Sequence, residues 1–208
     1  TLPSLTVNGG TGNDSVNFNG AITFAPNASV DADLQNDDPT PGIDDVSATA
    51  PLTFSGSGGY TARFSRSGGI TGGMTVGNGN IVVEANQQAT RTTGNFVGVT
   101  ITGTVQATGG GTITLKGKGG TSAANYGVWL ASSTVSSNVS VDINGVGGFN
   151  GTGTNQHGVT VQSSTVSGNG SVSVTGTGGA ASGNDSYGVV LAGNGVITGA
   201  SEIGRAHV

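Results

Sequence analysis

The chain has 208 residues, of which 41 are glycine, none is cysteine and only 8% are charged. A formal net charge of −5 excludes the basic stripe that nucleic acid binding requires. The missing cysteines exclude a disulfide framework, and no apolar run is long enough for a helix to cross a bilayer.

Residues 1–67 are expected to form irregular β coils, or else a separate N-terminal β segment. Apolar residues recur in alternation at Leu5/Val7, Val16/Phe18, Ile22/Phe24 and Leu52/Phe54, and again at Met74/Val76 and Ile81/Val83, which is the period of a strand with one buried face. Among them, Gly9-Gly10-Thr11-Gly12-Asn13-Asp14-Ser15-Val16-Asn17 matches the calcium nonapeptide G-G-x-G-x-D-x-U-x. It resembles the repeats-in-toxin family, whose β-rolls hold Ca²⁺ through Asp carboxylates and backbone carbonyls of consecutive turns. The resemblance implies calcium at Asp14. Calcium takes roughly six to eight oxygens and the motif occurs here once, so a plain strand–turn–strand is the competing expectation. Asp31, Asp33, Asp37, Asp38, Asp44 and Asp45 hold six of the eleven acidic residues. With Pro39 and Pro41 they predict a loop over 31–45, ejected from the coil and either solvated or holding a cation.

Residues 68–201 repeat. Gly98-Val99-Thr100-Ile101, Gly127-Val128-Trp129-Leu130, Gly158-Val159-Thr160-Val161 and Gly188-Val189-Val190-Leu191 follow one another at 29, 31 and 30 residues. Gly69-Ile70 is expected to open a degenerate coil 29 residues before Gly98-Val99. A second apolar site follows each Gly-Val at Val105, Val135, Val166 and Val196. A third run follows at Ile113–Leu115, Val139–Ile143 and Val172–Val174, closed by a Gly-Gly pair. A repeat of this length made of short β runs predicts an all-β fold, a right-handed parallel β-helix with coils of about 30 residues. Val99, Val128, Val159 and Val189 then form one interior column, and Ile101, Leu130, Val161 and Leu191 a second. Asn95, Asn125, Asn155 and Asn184 suggest either an amide ladder from coil to coil or ordinary turn residues. Residues 202–208 break the style and resemble the translation of a common short-read sequencing adapter. They are set aside as a non-native tail, and the chain reads as an interior fragment of a longer product.

Candidate chemistry in the repeats is thin. Asp142 alternates with Val141 and Ile143 and is expected to point outward. A carbohydrate-active β-helix, lyase or hydrolase, would need Asp142, Asp185, Lys116 and Lys118 to converge in one groove. His157 takes the slot of Tyr126 and Tyr187 in the neighbouring repeats, which makes it a stacking position rather than a base. Trp129 is expected to face outward, where it can hold a sugar or protein or lean on Tyr126. No nucleophilic triad and no metal-ligand spacing is visible, so the expectation is no catalysis.

The units Tyr126–Leu130 and Tyr187–Leu191, with Ser/Thr-Val and Gly-Thr-Gly-Gly between them, resemble bacterial β-strand-repeat surface proteins of the filamentous-haemagglutinin-like and autotransporter-passenger kind. The resemblance covers roughly residues 68–200. It implies an exported or cell-surface stalk that provides reach or adhesion, with a host-surface glycan or protein as partner. Self-association at the edges of exposed end coils is a further expectation.

Overall fold

The computed structural model describes residues 1–35, 42–121, 124–149, 154–179 and 185–203. Every regular element among them is a strand, and coils of three strands wind in parallel. The first coil contains β1 (Leu5–Asn8), β2 (Ser15–Phe18) and β3 (Ile22–Thr23). The second contains β4 (Val30–Asp33), β5 (Asp45–Ala48) and β6 (Leu52–Thr53), and the third β7 (Tyr60–Phe64), β8 (Ser67–Ile70) and β9 (Met74–Val76). Next come β10 (Ile81–Ala85), β11 (Val99–Ile101) and β12 (Thr104–Ala107), then β13 (Ile113–Lys118), β14 (Val128–Ala131) and β15 (Thr134–Ser137). The last strands are β16 (Ser140–Val146), β17 (Val159–Gln162), β18 (Thr165–Thr177), β19 (Val189–Ala192) and β20 (Val196–Ile203).

Stacking these coils produces three faces. One runs β1-β4-β7-β10-β13-β16-β18, a second β2-β5-β8-β11-β14-β17-β19, and the third β3-β6-β9-β12-β15-β18-β20, with β18 long enough to serve the first and third together. The result is a β-solenoid of about six turns with coils of roughly 30 residues. Its strands run without a break in pairing from Leu5 to Ile203.

The predicted columns are register partners. Val99, Val128, Val159 and Val189 align, as do Ile101, Leu130, Val161 and Leu191 and Val105, Val135, Val166 and Val196, but the columns are interior only up to the coil of Val159, Val161 and Val166: Val189 is half-buried and Leu191 and Val196 are exposed. The strands alternate buried and half-exposed residues, so every second side chain enters the core, and in these strands those side chains include every Val, Ile and Leu. The invariant glycine before each valine has a steric cause. A Cβ on Gly127 would lie 2.3 Å from the Val146 nitrogen, and one on Gly158 2.4 Å from the Thr177 nitrogen. The coil pinches there, and only glycine fits.

Three expectations are corrected. The stretch 31–45 is not all loop: Asp31 and Asp33 lie on β4 and Asp45 on β5, because they alternate with buried Val30, Ala32 and Val46. Asp37 and Asp38 fall outside the described residues. The degenerate coil exists, but its register is shifted by two: Gly68 pairs with Val99 and Ile70 with Ile101. The ring of Phe64 reaches within 2.9 Å of where a Cβ of Gly68 would stand, so an aromatic from the preceding strand fills the place of the missing aliphatic. Finally, among the described residues the asparagines do not share one position in the turn. The turn three residues before each glycine is left-handed at Ala124, Asn155 and Asp185 (φ 55°, 61° and 73°), where Asn and Asp are tolerated. Asn125 sits one place later, buried, and its amide donates to the Gly94 carbonyl (3.3 Å); Asn184 lies outside the described residues.

Candidate functional site

The most elaborated outward surface lies on the second face of the later coils, around Trp129. Tyr126, His157 and Tyr187 precede β14, β17 and β19 at the same offset, so the solenoid superposes them. Their rings stack, with centroids 5.3 Å apart at 1° for Tyr126–His157 and 5.5 Å apart at 18° for His157–Tyr187. Trp129 leans on the same row (6.1 Å from Tyr126, 57° between planes), and its indole N–H donates to Gln162 Oε1 of the next coil (3.2 Å). Of its two expected roles, the structure shows the contact with Tyr126.

His157 is held neutral. Its Nδ1 accepts the Tyr187 backbone N–H (3.2 Å), which requires an unprotonated nitrogen. Burial pulls its pKa below the ordinary value, with the Asp185 charge opposing more weakly. Asp185 in turn accepts the Tyr187 hydroxyl (3.0 Å), a bond that pushes the exposed phenol's pKa up. The histidine therefore acts here as a ring in a stack and as an acceptor.

The first face carries an ionic row instead. Asp33, Arg63, Glu84 and Lys116 occupy successive strands at one register position. Arg63 bridges Asp31 (3.6 Å), Asp33 (3.7 Å) and Glu84 (3.4 Å), and Glu84 also meets Lys116 Nζ at 3.0 Å. Arg66 forms a two-pronged ion pair with Asp45, which holds its guanidinium above its usual pKa. Asp44 is fully buried and accepts the Asp14 N–H at Oδ1 (2.9 Å) and the Ser65 hydroxyl at Oδ2 (2.8 Å).

Asp14, the calcium candidate, turns one carboxylate oxygen back to the Gly10 N–H (3.1 Å). Neighbouring Asn13 accepts the Ile43 N–H of the next coil (2.8 Å). Among the described residues no group of three or more acidic or histidine side chains is placed to hold a metal ion. Of the four residues of the carbohydrate-active expectation, Asp142, Lys116 and Lys118 lie on the outward rows of the adjoining strands β13 and β16, and Asp185 lies in the turn before β19. Lys116 is committed to Glu84, Asp185 to Tyr187, Asp142 pairs in register with Thr114 and Ser173, and Lys118 ends β13.

No protein family, curated protein or solved structure matches the chain. The site must therefore be read from its own geometry. Residues that sequence reasoning passed over include the pair Ser133 and Ser164, buried and joined hydroxyl to hydroxyl across coils (3.2 Å). Also missed was a knot of buried Asn86 and Gln88 with half-buried Thr92 that shapes the connection between β10 and β11. A clue existed in the uncharged Asn86-Gln87-Gln88 run following an apolar strand, where solvated loop residues would otherwise be expected.

Proposed function

We propose that the chain is a rigid stalk segment, structural or adhesive, of a large bacterial secreted or cell-surface repeat protein, and that it performs no catalysis. The supporting observation is where the outward side chains direct their polar groups. Arg63 to Glu84 to Lys116, Trp129 to Gln162 and Asn138 to Asn169 all run along the solenoid axis, from one coil to the next. Such contacts reinforce a rod. An enzyme of this shape would instead aim acids and bases at a common point outside the coil.

Duplicating one coil tests the reading. A second copy of residues 128–158 inserted after Gly158 restores every column. Energy transfer between dyes at the two ends should report about 4.8 Å of added length, the spacing of neighbouring strands, with no fall in melting temperature. A chain that fails to lengthen, or that releases reducing ends from acidic polysaccharides, overturns the proposal.

A further inference from the structure

The connection between β10 and β11 is built to present one side chain, Arg91. Asn86 is fully buried with φ 57°. Its Oδ1 accepts the Thr92 N–H (2.8 Å) and the Gln88 amide (2.8 Å), and its Nδ2 donates to the Lys118 carbonyl (3.3 Å). Gln88 also donates to the Ser65 carbonyl (2.8 Å), and its amide nitrogen lies 3.0 Å from Thr92 Oγ1. Thr92 is thereby fixed, and with it the neighbouring Arg91, whose guanidinium carbon lies 5.0 Å above the centre of the Phe149 ring.

Beside this pair lies a groove of about 370 Å³. Its floor is the row Val146 and Thr177 with the pairs Gly147-Gly148 and Gly178-Gly179, and Arg91 and Phe149 form its side. Lys118 is the register partner of Val146 on the adjoining strand and stands on the same outward row. The two cations are otherwise uncompensated: neither joins an ion pair with any described carboxylate. The segments 150–153 and 180–184, next to the glycine pairs in sequence, contain no Asp or Glu. Burial lowers the pKa of both groups, and the Arg91 charge lowers that of Lys118 further. An anion would relieve this strain.

We propose that this groove binds an acidic saccharide, seating a ring carboxylate or sulfate between Arg91 and Lys118 and the sugar ring against Phe149 and the glycine floor. The planar guanidinium matches a two-oxygen anion. The glycine pairs are required by packing, since a Cβ on Gly147 or Gly178 would lie 2.1 Å from the Gln156 or Ser186 carbonyl oxygen, and the phenyl gives the sugar's C–H face an apolar contact. The volume suits a small ligand. This site goes beyond the stalk reading and stands or falls without it.

Affinity electrophoresis of the full chain tests it, with polygalacturonate, dextran sulfate or neutral dextran cast in a native gel. Retardation is expected with polygalacturonate or dextran sulfate and not with dextran, and which polymer retards tells carboxylate from sulfate. Lys118→Gln should weaken binding about tenfold and Arg91→Gln with Lys118→Gln should abolish it. Lys116→Gln, which removes the same charge outside the groove, should leave it unchanged. Native circular dichroism confirms that each variant is folded. No retardation by either acidic polymer overturns the proposal, as does retained affinity in the folded double variant. Equal retardation by single-stranded DNA overturns it in favour of generic polyanion attraction.

Discussion

The coils up to Ala85 and those from Val99 onward reach the same cross-section by different means. In the later coils, aliphatic columns recur at nearly constant spacing. In the earlier ones, residues hydrogen-bonded across adjacent coils are 25, 30 and 21 residues apart, and rings replace the columns. Phe24 stacks on Phe54 (4.4 Å, 6°), and Tyr60 meets both Phe18 (6.1 Å) and Phe54 (6.4 Å). Strand register survives these changes of period because surplus residues leave through the turns. A solenoid needs constant interior volume and paired backbone from coil to coil; it does not need a constant repeat length.

The contrast can be broken most severely at Phe64, whose ring fills the space left by Gly68. Phe64→Ala should cost about 3–5 kcal/mol in chemical denaturation, whereas Ile101→Val in the regular columns should cost about 0.5–1.5 kcal/mol. Equal costs would mean the aromatic region is loosely packed. Next in size, Gly68→Ala should cost about 1–3 kcal/mol, because the added Cβ would sit 1.9 Å from the Val46 carbonyl oxygen. A neutral result would show that the two-residue shift is not sterically required.

How much of this was legible depended on what fills the core. Where Val, Ile and Leu recur at one spacing, strands, columns and the outward direction of Trp129 followed from periodicity, and the Tyr126–His157–Tyr187 stack from their shared offset. Where Phe64 replaces an aliphatic from a different strand, periodicity placed the coil two residues off. The strand of Asp31 and Asp33 was hidden because its buried partners include small Ala32, a weak apolar signal beside so much charge. The Asn86 knot and the Arg91 groove were invisible for another reason: they assemble from connections whose lengths and sequences do not repeat.

Smaller effects sharpen the comparison from the regular side. Burial depresses the pKa of His157 below its ordinary 6.5. The unfolded chain therefore binds the proton first, and stability is full above that value and falls as pH drops through it. His157→Phe should lose about 0.5–1.5 kcal/mol with the Tyr187 N–H bond and flatten the dependence of melting temperature between about pH 5 and 7. An unchanged slope would remove His157 as its source. Least of all, Glu84→Gln on the exposed ionic row should cost about 0.2–1 kcal/mol, a difference that vanishes in molar salt.

The most direct test of a single continuous solenoid is residue-resolved hydrogen exchange of the backbone amides. The account predicts that Tyr60–Phe64 and Ile81–Ala85 are protected to the same degree as Val128–Ala131 and Val159–Gln162, with opening confined to the end coils. Fast exchange across β4, β7 and β10 while β14 and β17 stay protected would contradict it, and would divide the chain into an independent N-terminal unit and a separate stack.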